Sequence, residues 1–392
     1  MIRFLHTADW QIGKPFAGIA DAHKRVLVQQ ERVAVIARIG AAAHQYQASF
    51  ILVAGDLFDS PTPTQSMVSA ACAAIGKLPL PVYVIPGNHD HGGPAGPWEQ
   101  PFFLKEQDAL APNLHVLLEP KPLALPGTML FPCPLQRRAQ SEDATAWLRD
   151  SQVADQAGER ARLLLAHGST QGFGGEPDDE ESRSAAVNRL DLDQLDANAF
   201  DYFALGDWHG MKQVLPKAWY AGTPELDRFP KGADQQPGHC LAVEVERGRD
   251  PVVTPVPTGR LRWLQLERQF AEDAAVDGLR NELETLLQQR AQEDLLRLEL
   301  DGTLGLAAMG RLENMLEQWE ARLLRLKLQN RVQLAPTEEE LFTLTQRLGD
   351  PLTSRVAALL IEQTRAGDAA SETASLALRE LYGASTKPET TA

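Results

Sequence analysis

Five separate times, a short apolar run of this chain ends in a residue of the kind that binds metals. Residues 2–5 lead into His6 and Asp9, 50–54 into Gly55 and Asp56, and 82–85 through Pro86 and Gly87 into Asn88, His89 and Asp90. Residues 163–166 lead into His167 and Gly168, and 201–205 into Gly206, Asp207 and His209. The runs are short, rich in β-branched and aromatic residues and bounded by glycine or proline, as buried strands are. Between the first three, residues 21–46 carry Val28, Val35, Ile36, Ile39 and Ala43 at helical spacing, and a second helix is predicted from Pro63 to about residue 77. A strand–helix–strand–helix–strand order predicts parallel strands joined by helical crossovers. Their carboxyl ends then share one edge, where α/β proteins build their sites. A single Asp after a strand is more often a turn or cap residue. Five polar tips in a row predict a metal centre.

Mixed carboxylate and imidazole ligands suit phosphoester hydrolysis. Two divalent ions about 3.5–4 Å apart can share a carboxylate, hold a hydroxide and clamp the phosphate oxygens of an in-line displacement. No G-x-x-x-x-G-K-[ST] loop suggests an ATPase. Cys72, Cys133 and Cys240 show no CxxC spacing, so neither a zinc ribbon nor a disulfide framework is expected. With 43% hydrophobic and 23% charged residues, the composition is that of a soluble globular protein. No signal peptide and no membrane span are expected, which places the chain in a reduced cytoplasmic setting. The net charge of −15 is awkward for a free-standing nucleic-acid binder.

Further along, short strands are expected at 116–118 and 129–131, a helix at 145–156, a mobile acidic loop at 172–181, and more sheet at 219–224 and 241–245. The character changes near Arg260. A strand at 263–270, a helix at 271–292, a strand at 295–300, a helix at 307–321 and a strand at 323–328 predict a small α/β domain. Helices follow near 337–348, 351–365 and 370–382, before a tail expected to be disordered. The expected domains are therefore 1–260, 261–335 and 336–392.

The ordered motifs resemble those of a known family. Asp9, Gly55-Asp56, Gly-Asn-His-Asp at 87–90, His167-Gly168 and Gly206-Asp-x-His-Gly are similar to those of the calcineurin-like metallophosphoesterases. The opening His-Thr-Ala-Asp-Trp and the block Val-Ala-Gly-Asp-Leu-Phe-Asp at 53–59 resemble the SbcD-type DNA repair exonucleases. The resemblance covers about residues 1–260. It implies an α/β metallophosphoesterase β-sandwich flanked by helices, with a small α/β capping domain and C-terminal helices. It implies metal ligation by Asp9, Gln11, Asp56, Asn88, His167, Asp207 and His209, with Asp56 bridging two ions. His89 would touch the scissile phosphate, and Asp90 would orient its ring. The family has His where this chain has Gln11 and Asp207. Both changes move the site towards hard oxygen ligands, favouring Mn²⁺ or Mg²⁺ over Zn²⁺.

The function expected is two-metal hydrolysis of DNA phosphodiesters. The implied partners are DNA and an SMC-like (SbcC-type) ATPase subunit, with a homodimer allowed and no membrane. One alternative is a phosphodiesterase or phosphatase acting on nucleotides or small phosphoesters. Another is a non-catalytic scaffold subunit of such an ATPase complex. His91 and Trp208 flank the site, His6 supports it from behind, and Arg137, Arg138, Arg260 and Arg262 are candidate phosphate contacts. Leu341, Leu344, Leu348, Val356, Leu359 and Leu360 could pack on a partner's coiled coil or on their own domain.

Overall fold

The computed structural model describes the chain except for residues 95, 171–186, 197, 231–235, 348–349, 365–368 and 387–392. The acidic stretch 172–181, Leu348 and the end of the tail thus lie outside the described residues. The chain divides into two compact units, Met1–Arg262 and Trp263–Ala392.

The first unit is built on two six-stranded sheets. In one, Ile2–Thr7, Ile51–Val53, Val82–Val84 and Leu114–Val116 lie side by side and parallel. Strands His239–Val245 and Val252–Pro257 extend it antiparallel beyond Ile2–Thr7. In the other, Thr128–Cys133, Ala161–His167, Tyr202–Gly206 and Ala218–Tyr220 are parallel neighbours, with Leu123–Leu125 and Lys212–Leu215 as antiparallel edges.

Residues of the central strands alternate between two apolar layers, so these strands are covered on both faces and read as continuous apolar runs. Phe4, Leu52, Leu130, Leu163, Leu165, Tyr202 and Leu241 fill the space between the sheets. Phe4 stacks on Phe50 at 5.2 Å and meets the edge of Tyr202 at 5.6 Å. On the outer face of the first sheet, Leu5, Ile51, Val53 and Val82 pack with Val35, Ile36 and Ile39 of the helix Ala22–Gln45 and with Val68 and Cys72 of the helix Gln65–Ile75. Asp21 caps the first of these helices, accepting from the amides of His23 and Lys24. The three cysteines are buried and unbridged.

Several local expectations shift. The strand expected at 116–118 is Leu114–Val116. The stretch 145–156 is a 3₁₀ turn, Ala146–Arg149, followed by a short helix, Ser151–Asp155. The helix Pro101–Leu110 has no side-chain cap and buries one residue, Phe103, so it left little periodic signal.

The second unit carries a four-stranded sheet in which Arg262–Phe270, Asp294–Leu304 and Arg325–Asn330 are neighbours and Gln333–Leu334 pairs with Asp294–Leu304. Helices Ala275–Leu287 and Leu306–Arg322 supply Leu279, Leu283, Leu312 and Trp319 to its core. The first is shorter than expected, because the backbone turns to a positive φ at Gln288 and continues as 3₁₀. Helices Glu338–Thr345, Pro351–Thr364 and Ala369–Thr386 follow. Leu344, Ala357 and Leu378 pack with Leu306, and Glu340 accepts from the amides of Leu306 and Ala307, capping the neighbouring helix. Leu344 and Leu360 thus pack within this unit, while Leu359 and Val356 are exposed.

Candidate metal centre

The polar tips converge because the loops that carry them are tied to one another. After the strands Ile2–Thr7 and Ile51–Val53, the two chains stay paired: Asp9 N donates to Gly55 O, Gln11 N to Asp56 O and Ile12 N to Leu57 O, at 2.9–3.1 Å. Asp9, Gln11 and Asp56 all adopt positive φ (54°, 43° and 54°), and so does Asp207, at 103°. Such backbone is uncommon outside glycine, costs on the order of 1–3 kcal/mol per residue, and collects at functional sites. Behind the loop, the buried Arg32 donates to the carbonyls of Asp9 and Trp10 at 2.8 Å and to Thr223 Oγ1 at 3.0 Å.

Two glycines let the groups approach. A Cβ on Gly87 would stand 2.1 Å from Asp56 Oδ1, and one on Gly55 would stand 2.2 Å from His167 Nδ1. The tips of the second sheet meet those of the first through His167 Nδ1 and Ala54 O (2.7 Å) and through Asp207 N, which lies 3.3 Å from both Asp9 carboxylate oxygens.

Three imidazoles are held through Nδ1. A carbonyl only accepts, so an Nδ1 facing one carries the proton. Nδ1 of His167 donates to Ala54 O and Nδ1 of His89 to Asp59 O at 2.9 Å, while Nδ1 of His209 lies 3.0 Å from both Asp227 Oδ2 and the Arg228 guanidinium. Metal-binding histidines are commonly oriented through the other ring nitrogen in this manner. His167 Nε2 then lies 2.9 Å from Asn88 Oδ1, 3.6 Å from Asp56 Oδ2 and 3.8 Å from Asp207 Oδ1. His89 Nε2 faces Asp56 Oδ2 at 4.0 Å. Ligand atoms of Asp9, Asp56 and His167 all lie within 4.8 Å of one another.

The electrostatics are those of an anionic cluster. Burial, followed by the neighbouring Asp56 and Asp207, pushes the Asp9 carboxyl up to about 6, with His209 and His167 opposing. Burial alone would lower His167, but Asp56, Asp9 and Asp207 together hold it up at about 9. Divalent cations fit this donor set, because hard anionic oxygens and one or two imidazole nitrogens converge there.

The sequence-predicted residues are placed as follows. Asp9, Asp56, Asn88 and His167 come together, and Asp207 borders them while accepting from Ser169 Oγ at 2.7 Å. His209 Nε2 lies 3.2 Å from Gln11 Nε2. Asp90 is corrected: it does not orient His89, whose ring is held by Asp59 O. The Asp90 carboxylate instead accepts from Gly87 N at 2.8 Å and Phe58 N at 3.0 Å, and Trp98 donates to its backbone carbonyl. Asp90 therefore braces the turn, and burial with the nearby Asp56 pushes its carboxyl to about 7. His6 is fully buried and spans the two sheets, facing Tyr202 Oη at 2.9 Å and Leu205 O at 3.1 Å. Arg260 pairs with Glu31.

Lys14, Arg32, Asp59, Asp227 and Arg228 were missed. Lys14 pairs with Asp227 at 2.8 Å and Arg228 pairs with it at 3.2 Å, beside His209. Burial would raise Asp227, but His209, Lys14 and Arg228 hold it well below the usual carboxylate range. Of these, Arg32 alone left a signal: an arginine on the apolar stripe of a helix, four residues from both Val28 and Ile36.

Comparison with known proteins gives this centre a family. The chain is 27% identical over 251 residues to the uncharacterized metallophosphoesterase YhaO of Bacillus subtilis, covering 60% of this chain and 56% of that protein. It is 24% identical over 227 residues to the SbcD subunit of the SbcCD nuclease of Staphylococcus epidermidis, covering 53% of this chain and 57% of that one. It thus spans little more than half the length of either relative. A crystal structure of TT1561 of Thermus thermophilus aligns with 65% of this chain and 98% of its own at 13% identity, and the TM-score of 0.35 is too low to carry weight. The family model for calcineurin-like phosphoesterases matches residues 2–211, the stretch that contains every converging ligand described above. This chain belongs to the calcineurin-like phosphoesterases, a family of phosphoester hydrolases that works with divalent metals.

Proposed function

We propose that the chain hydrolyses phosphodiester bonds in DNA, with two divalent cations, Mn²⁺ before Mg²⁺, held by Asp9, Gln11, Asp56, Asn88, His167, Asp207 and His209. The observation that carries this is the set of three imidazoles held at Nδ1, two of which turn Nε2 towards Asp56. The ions, when bound, supply Lewis acidity and a nucleophile generated from water. Asp56 would be shared by the two ions, its carboxylate lying in the cluster with Asp9 and His167.

His89 does the proton work. Burial would lower its pKa, but Asp56 and the Asp59 carbonyl together raise it above the usual histidine value, which favours the protonated ring. From a place beside Asp56, Nε2 would meet a phosphate oxygen, stabilising developing charge or protonating the leaving oxygen. Asp90 and Gly87 hold the turn that carries His89.

DNA as substrate is supported by the nuclease name of one relative and by the second unit, Trp263–Ala392, for which hydrolysis of a small ester has no need. In this proposal the exposed Phe342, Leu352, Leu359 and Leu376 of that unit face a partner such as an SMC-like ATPase. Such a partner would supply cationic surface that a chain of net charge −15 lacks.

The test is a panel of linear duplex DNA, single-stranded DNA, a small phosphodiester and a nucleoside monophosphate, assayed in Mn²⁺. Cleavage of DNA with little monoesterase activity supports the proposal. Hydrolysis confined to the monoester, even with an added ATPase partner, would favour a nucleotide phosphatase.

A further inference from the structure

Lys14 lies against the metal centre. Its ammonium donates to Gln11 Oε1 at 2.6 Å, pairs with Asp227 Oδ2 at 2.8 Å and lies 3.9 Å from Asp59 Oδ1. An ammonium has protons only to give, so the Gln11 atom that faces it must be the carbonyl oxygen. The amide nitrogen is thereby turned to His209 Nε2, 3.2 Å away. That contact needs Nε2 to accept, which puts the ring proton on Nδ1, between Asp227 Oδ2 and the Arg228 guanidinium, each 3.0 Å away.

The two halves of the centre are therefore chemically unequal. Around His167, the carboxylates of Asp9 and Asp56 already present acceptor atoms, and Nε2 faces the Asn88 carbonyl at 2.9 Å, so a cation there needs only the loss of the Nε2 proton and no reversal of a side chain. Around His209, Gln11 presents a donor. For a cation to use the Gln11 carbonyl the amide must reverse, and reversal would set its NH₂ against the Lys14 ammonium. A cation there must also displace the amide from His209 Nε2.

We propose that Lys14, acting through Gln11, holds the His209 side of the centre closed, so that the cation position at Asp9, Asp56, Asn88 and His167 fills first and the second fills only when Gln11 is released. Lys14 is a positioning residue in this scheme. The inference rests on the metal centre of the proposed function, but not on DNA being the substrate.

The experiment is a calorimetric titration of Mn²⁺ into the metal-stripped full chain, with electron paramagnetic resonance to count spin-coupled ion pairs. For wild type, one Mn²⁺ should bind at least tenfold more tightly than a second, and one equivalent should give an uncoupled spectrum. Lys14→Met should tighten the second site at least tenfold, and Lys14→Arg should keep the wild-type pattern. Arg228 still pairs with Asp227 in these variants. A melting curve of each stripped protein checks folding, and Lys14→Ala replaces the methionine variant if that one is unfolded. Two equivalents of equal affinity in wild type, or a second site unmoved in folded Lys14→Met or Lys14→Ala, would overturn the proposal. Absence of Mn²⁺ binding in every variant would overturn both this and the metal centre beneath it. No phosphoester is hydrolysed in this assay, so a failure to cut DNA is scored separately.

Discussion

Asp56 Oδ1 occupies the space where any side chain at position 87 would begin, 2.1 Å from the Cβ it would carry. Gly87→Ala should therefore displace the Asp56 carboxylate or the turn, at a cost of about 1–3 kcal/mol. Mn²⁺ affinity should fall by at least tenfold, measurable by titration. His89→Asn tests another function of the same turn. It should lower kcat by about 10²–10⁴-fold while leaving bound metal unchanged, because His89 meets the phosphate in our proposal. Metal content measured beside kcat separates the two cases. The identity of the converging residues was legible from the sequence, since polar residues directly after apolar runs are conspicuous. Their partners were not: Asp59 holds His89 through a backbone carbonyl, which any residue possesses, and Asp90 turned out to brace the loop.

Parallel strands carry the tips to one edge, and two buried cationic or imidazole side chains lock the elements in place. Arg32, on the buried face of its helix, satisfies the carbonyls of Asp9, Trp10 and Glu225. Arg32→Met should cost about 3 kcal/mol or more, read from denaturant unfolding, and should weaken metal binding with it. His6 joins the two sheets in its neutral form, because burial lowers its pKa to about 3 despite the Leu205 carbonyl. The unfolded chain takes up a proton on His6 below pH 6.5 and the folded chain does not until about pH 3. Stability contributed by this site is therefore lost as pH falls across that window, by about 2 kcal/mol at pH 5. Comparing unfolding free energies at pH 7 and pH 5 in wild type and His6→Gln isolates the term. Asp9 and Asp90, whose pKa values are raised, act in the opposite sense in both proteins. The central strands of the first unit were readable because they are buried on both faces and so read as apolar runs. The helix Pro101–Leu110 was not, since one buried side chain leaves no period.

At the scale of the whole molecule, the first unit holds the entire centre and its own core, while the second unit has a separate core around Leu283, Leu312 and Trp319. If substrate choice belongs to the second unit, residues 1–262 alone should still hydrolyse a small phosphodiester but cut duplex DNA at least tenfold more slowly than the full chain. Equal DNA cleavage by both would remove any role for the second unit in selecting substrate. The central claim is narrower: Asp56 joins the cation positions of a working phosphoesterase. The most direct measurement is steady-state hydrolysis of a small phosphodiester in Mn²⁺ by metal-stripped, reconstituted wild type and Asp56→Ala. We predict a loss of more than about 100-fold, beyond what removal of an outer-sphere partner costs. Equal rates in the two proteins would contradict the account.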